Sequence, residues 1–252
     1  MPSEAPIGRK NPWVIAGVCL AGVTVVGLGM FVAQVIGYMR SIQAGNDNPF
    51  KQTQQQVLVR SWVRQPPLSA DMLERVDPRL GGAQHPQRGQ PASSLRIVEF
   101  IDYECPFCRQ VEPVLERFLE RHATDVAFVV RDFPLEDVHP GAFQAALAAR
   151  CVFEQGKSAT FWAYHDRLLL GADVLTAQDL RSSAVDVGAD IPRFDECLSR
   201  RATEARVRES QAVGVEAGVK GTPTFFFNGR KVQGALDAET LEALYQEFKK
   251  TL

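Results

Sequence analysis

Cys105-Pro106-Phe107-Cys108 stands where an apolar run ends and a helical pattern begins. The run, Ile97 to Ile101, carries one acid, Glu99. Beyond the cysteines, Val111, Val114, Leu115, Phe118 and Leu119 recur at helical spacing. A Cys-x-x-Cys at a strand-to-helix junction is a redox arrangement, because the helix N-terminus offers free backbone N–H groups and a positive dipole end to a thiolate. Cys105 is therefore the candidate nucleophile. Pro106 falls at the first helical position, where a missing N–H costs nothing, and Cys108, one turn on, is the resolving thiol. The alternative is half of a structural zinc site. Zinc needs two further ligands at coherent spacing, and no second Cys-x-x-Cys and no His pair is present; no metal and no cofactor are expected.

The strand around Glu99 constrains the topology. By alternation Glu99 shares a face with Ile97 and Ile101, while Val98 and Phe100 take the other, so both faces are apolar, as in a central parallel strand. Glu99 then becomes a buried carboxylate with a raised pKa, fit to exchange a proton with Cys108. The alternative is a carboxylate at the strand end that reaches water. A second strand is predicted over 126–133 after a helix over 106–122, with Pro113 inside it. That makes a right-handed βαβ unit.

The 90 residues from Phe133 to Thr224 are helical in character, with segments expected at 140–155, 159–170, 177–187 and 193–217, the last broken near Gly214. A βαβ return needs far fewer residues, so about 139–218 is a helical insertion. Thr222-Pro223 then leads into Thr224 to Phe227, and Asn228-Gly229 signals a hairpin. Thr222 would offer backbone groups to an extended substrate beside the dithiol; the alternative is a proline that merely opens a strand. A terminal helix from Ala238, capped by Asp237, closes the chain. His85, His122, His139 and His165 show no ligand spacing and are read as structural.

Ahead of this domain, Trp13 to Tyr38 is 26 residues without a charge. At about 1.5 Å per residue it exceeds the roughly 30 Å hydrocarbon core. Residues 12–39 are predicted as an uncleaved, single-pass anchor, 1–11 as a cytoplasmic tail and 40–94 as a linker or stalk, the last for its Gln, Pro and Gly content. A signal peptide is the rival, but its apolar region is shorter and ends in a small-x-small site. Of the five cysteines, Cys19 lies in the anchor, which leaves an even four. A dithiol plus a second pair, Cys151 and Cys197, belongs outside the cytoplasm. Cys151 and Cys197 are expected to form a structural disulfide; two free buried thiols or a second redox pair are the alternatives. The net charge of −2, with acids and bases interspersed, gives no footprint for nucleic acid.

Together, the strand with Glu99, Cys105-Pro106-Phe107-Cys108, the helix containing Pro113, the helical insertion and Gly221-Thr222-Pro223-Thr224 resemble the thioredoxin fold. The insertion narrows the resemblance to the DsbA-like thiol–disulfide oxidoreductases of the membrane-tethered bacterial branch, over 95–252. The fold class implied is α/β, a thioredoxin fold with an inserted helical domain behind one N-terminal transmembrane helix. The resemblance implies Cys105 as attacking thiol, Cys108 as resolving thiol, Glu99 as buried acid, and Thr222-Pro223, with Pro106 and Phe107, as the substrate-facing groups. It implies a monomer on the bacterial cytoplasmic membrane, its catalytic domain facing the periplasm or cell exterior. Reduced or unfolded secreted proteins would be its clients and a quinone-linked membrane partner would reoxidise it. Isomerase and reductase roles, including cytochrome or copper-site assembly, share the motif, and a Cu(I) carrier is the rival of another class. Pro106-Phe107 lacks a His, and Asp102 and Glu104 add negative charge near Cys105, so a potential less oxidising than that of the strongest donors is expected.

Overall fold

The computed structural model describes residues 49–77, 84–172 and 174–250, with isolated positions 29, 32, 33 and 36 before them. The predicted tail and anchor lie outside the described residues, those positions apart. Among the described residues no helix is long and apolar enough to cross a membrane. The chain divides into two units between Val57 and Leu58, and the second, Leu58–Leu252, carries everything below.

The elements in order are α1 (Pro49–Arg64), α2 (Ala70–Val76), β1 (Gln87–Gly89), β2 (Leu95–Ile101), α3 (Pro106–Arg121), β3 (Val126–Asp132), α4 (Ala142–Phe153), α5 (Ser158–Leu170), α6 (Ala177–Asp186), α7 (Ile191–Ser199), α8 (Glu204–Glu216), β4 (Thr224–Phe227), β5 (Arg230–Gln233) and α9 (Ala238–Lys250). The sheet order is β1-β3-β2-β4-β5. β2 and β3 run parallel through α3, with Glu99 opposite Val130, and β4 and β1 are antiparallel to their neighbours. Asn228 and Gly229 both take positive φ, 45° and 80°, the geometry of a tight two-residue hairpin between β4 and β5.

β2 sits at the centre with both faces covered. Leu95, Ile97 and Ile101 face α3, α9 and the insertion. Val98 and Phe100 pack with Val129, Phe133, Phe226 and, from α8, Val213. The insertion, α4 to α8, is tied by a Cys151–Cys197 disulfide between α4 and α7, with Cα atoms 5.8 Å apart.

Two expectations are sharpened and one changes. In the predicted stalk, where one piece docked on the domain and short structure at 57–63 and 70–76 were expected, residues 58–77 and 87–89 are all packed on the domain. Trp62 is 1% exposed and meets Phe227 edge-on, and the Leu68 N–H donates to the Gly229 carbonyl. β1 is an edge strand of three residues behind Pro86, too short and too rich in polar residues to show a period. The break predicted near Gly214 falls instead at 200–203, where Arg201 takes a φ of 50°. Gly214 lies inside α8, where Phe133 and Phe100 come within 2.6 and 3.0 Å of where a Cβ would stand and leave no room for a side chain.

Candidate active site

Asp102, Tyr103 and Glu104 carry the chain from β2 into α3, and Cys105 is the N-cap of that helix, with φ −70° and ψ 120°. No side chain caps the helix, so the first-turn N–H groups remain for the sulfur. Cys105 and Cys108 are free thiols. Across the opening, Thr222-Pro223 is a cis peptide, and Cys105 Sγ donates to the Thr222 carbonyl at 3.3 Å. The Thr222 hydroxyl is buried and has no partner in this form. Pro106 is exposed, as is Phe107 at 57%, so the dithiol is flanked by a protruding aromatic ring.

The two thiols differ sharply. The Cys108 thiol donates to Cys105 and, with Thr222 and the backbone N–H groups of Cys108 and Phe107, outweighs partial burial and brings Cys105 down to about 5. A value near 5 favours the thiolate at neutral pH, and the hydrogen bond to the Thr222 carbonyl belongs to the protonated form. Burial, then its hydrogen bond to Cys105 and the charges of Glu99 and Cys105, push Cys108 far above the ordinary thiol range. One sulfur is ready to attack; the other must be given a proton when it leaves.

Glu99 lies under the pair, 1% exposed, and neither carboxylate oxygen has a hydrogen-bond partner. Burial first, then the charges of Glu112 and Cys105, raise it well above the usual carboxylate range, with Arg88 opposing. Asp102 and Glu104, the acids expected beside Cys105, are each held by hydrogen bonds. The Asp102 carboxylate accepts from the N–H groups of Glu104 and Leu135 and pairs with His139 Nδ1 at 2.8 Å. That of Glu104 accepts from Gly141 and Leu175. Both carboxylates are held by neighbouring loops.

Cys105, Cys108, Glu99, Thr222, Pro223, Pro106 and Phe107 thus converge, while Cys151 and Cys197 pair inside the insertion. Sequence reasoning passed over Glu112, Arg88 and Tyr103 and read His165 as structural. Glu112 was discoverable: it falls four residues after Cys108 and three before Leu115, a charge on the apolar face of α3. His165 gave no comparable signal.

The thioredoxin family profile matches residues 83–247. The chain is 39% identical over 173 residues to a protein named Na(+)/H(+) antiporter NhaA 3 from Salinispora tropica, covering 69% of this chain and 25% of that protein. It is 33% identical over 186 residues to NhaA 1 from Mycobacterium sp. strain KMS, covering 73% of this chain and 29% of that protein. The chain therefore spans only about a quarter of the length of these curated relatives. Among solved structures, a thioredoxin-like oxidoreductase from Silicibacter pomeroyi superposes with a TM-score of 0.62 at 24% identity, covering 73% of this chain and 99% of that one. The thiol–disulfide exchange protein alpha-DsbA2 from Wolbachia pipientis gives 0.62 at 18%, covering 78% and 98%. The catalytic domain of ScsC from Proteus mirabilis gives 0.60 at 23%, covering 71% and 94%. At these identities the structural likeness is one of fold.

Proposed function

We propose that this chain, a member of the thioredoxin family, is a thiol–disulfide oxidoreductase of the DsbA-like type that works as a disulfide donor to reduced secreted proteins. The observation that supports this reading is the asymmetry of the two thiols, Cys105 near 5 and Cys108 far above the ordinary range. A stabilised Cys105 thiolate favours the dithiol form, and a protein whose dithiol form is favoured gives its disulfide away.

In the forward direction a client thiolate attacks Cys105 Sγ. The Cys105–Cys108 bond breaks, its electron pair goes to Cys108, and Glu99 supplies the proton that the buried Cys108 sulfur requires. A second client thiolate then attacks the client sulfur of the mixed disulfide, the client leaves oxidised, and Cys105 departs as a thiolate. Thr222 and the exposed Phe107 border the place where an extended client would lie. Reoxidation by a quinone-linked membrane partner, a monomeric state and an anchor at 12–39 that holds the catalytic domain outside the cytoplasm complete the reading. The anchor rests on the uncharged run from Trp13 to Tyr38, and the compartment on the Cys151–Cys197 disulfide.

The test is to mix the oxidised full chain with a reduced, unfolded client and follow client disulfides and recovered activity. Oxidation of the client, abolished by Cys105→Ala, supports the donor reading. Net reduction of an oxidised client, or reshuffling of wrong pairs without net oxidation, would move the assignment to a reductase or an isomerase. Extraction of membranes at alkaline pH should leave the full chain in the pellet, and release into the supernatant would remove the anchor.

A further inference from the structure

Away from the dithiol, the Cys151–Cys197 disulfide borders a surface cavity of about 210 Å³ between the end of α4 and α7, and both cysteines line it. The two sulfurs are unequally placed. Cys151 is 2% exposed, whereas Cys197 is only half-buried. In exchange an attacking thiolate takes the sulfur it can reach, and the other sulfur becomes the leaving group. Access therefore selects Cys197. Its partner has an acceptor waiting. The buried Thr203 hydroxyl lies 3.8 Å from Cys151 Sγ and gives its own hydrogen to the Leu147 carbonyl at 3.2 Å, so its oxygen is left to accept from a Cys151 S–H. A buried thiol with such an acceptor stays protonated and unreactive.

Opening the bond need not free α7. Gln155, just past α4, accepts from the N–H of Asp190, the N-cap of α7, at 2.8 Å and donates to its carbonyl at 3.1 Å. Phe194 in α7 is fully buried in the core. Two ties besides the disulfide thus hold the cavity walls together. The charges around the cavity describe what fits it. Glu196 and Arg200 bond each other at 3.1 Å. Glu154 and Arg193 are exposed and make no ion pair among the described residues, which leaves one acid and one base open to a ligand. A thiol that carries both an ammonium and a carboxylate matches that pair.

We propose that Cys197 is a modification site at which a small zwitterionic peptide thiol, of the glutathione class, is held as a mixed disulfide. The incoming thiol ionises and its sulfur bonds to Cys197 Sγ. The Cys151–Cys197 bond breaks, its electron pair goes to Cys151, and the proton released by the incoming thiol reaches Cys151 through water. The incoming thiol is oxidised to the mixed disulfide and Cys151 is reduced to a thiol. Arg193 takes the carboxylate of the ligand and Glu154 its ammonium. The site is separate from Cys105, and the inference does not depend on the direction of exchange there.

The test uses the full chain with Cys105→Ser and Cys108→Ser, so that Cys151 and Cys197 form the only pair able to exchange. It is treated with reduced glutathione, quenched in acid and mapped by peptide mass spectrometry. The expected product carries glutathione on Cys197, with Cys151 free and circular dichroism unchanged. Arg193→Ala and Glu154→Gln should each slow its formation about two- to fivefold, the worth of an exposed ion pair, and leave the rate with mercaptoethanol, a neutral thiol, unaltered. An adduct on Cys151, or opening only in denaturant, would overturn the site. Glutathione rates untouched by either substitution would overturn the zwitterionic ligand. Closure by Cys151 before the quench would hide the adduct, and two single replacements in the same background decide that case. Oxidised glutathione should label Cys197 in Cys151→Ser and leave Cys151 unlabelled in Cys197→Ser. Labelling of both sulfurs, or of neither, would count against the proposal. If either form does not fold, the adduct mapped from the disulfide form decides.

Discussion

Cys105 is set by contacts from two directions, its own helix and the Thr222 turn. The Cys105 thiol donates to the Thr222 carbonyl, whereas a thiolate needs donors, and the unpartnered Thr222 hydroxyl is placed to become one. Thr222→Val keeps the shape and removes that donor. The Cys105 titration, followed by thiolate absorbance in the reduced protein, should have its midpoint near 5. In Thr222→Val it should rise by about one unit, the worth of one hydrogen bond to a charged group. A midpoint unchanged by the substitution would mean that the helix terminus and Cys108 do the work alone. At this scale the sequence was informative wherever one residue broke its local pattern. Glu99 stood out as an acid in an apolar run, and the cysteines by their spacing. What holds Asp102 and Glu104 was not legible, because their partners, Leu135, His139, Gly141 and Leu175, come from distant loops, which spacing does not encode.

At the scale of elements, period and turn chemistry made β2, α3, β3, the hairpin and α9 legible. Ahead of β2 the helix at Ala70–Val76 was legible, but the extent of the packing was not, because it depends on single large residues rather than on a repeating face. Trp62 is the clearest case. The last turn of α1 inserts it against Phe227, and Arg230 lies over its ring. Trp62→Ala should cost about 3–5 kcal/mol in denaturant unfolding without moving the Cys105 midpoint, whereas a cost near zero would return this segment to the status of a tether. The insertion invites a parallel test. Closing a loop across 46 residues with Cys151–Cys197 contributes up to about 4 kcal/mol through the unfolded chain. Replacing both cysteines with Ala should lower stability by up to that amount and leave client oxidation by Cys105 and Cys108 intact. Loss of exchange in a folded double variant would give the second pair a redox role.

For the molecule as a whole, the architecture places the reactive cysteine at the end of the central strand, the buried Glu99 carboxyl beneath it and a helical insertion beside it. Its energetics reduce to a comparison of two redox forms. Cys105 titrates below its unfolded value, so in the dithiol form it adds stability that is complete above the ordinary thiol range and is lost as pH falls through about 5. Glu99, with its raised value, contributes the opposite slope, and the part of its shift caused by the Cys105 charge belongs to the dithiol form. The reduced protein should therefore be the more stable form at pH 7, with an advantage that shrinks towards pH 5. The most direct measurement is the reduction potential of the Cys105/Cys108 couple at pH 7, taken by equilibrating the full chain with defined glutathione ratios. A disulfide donor predicts a potential more oxidising than about −180 mV, and a value near −270 mV, where thioredoxin reductants lie, would contradict it.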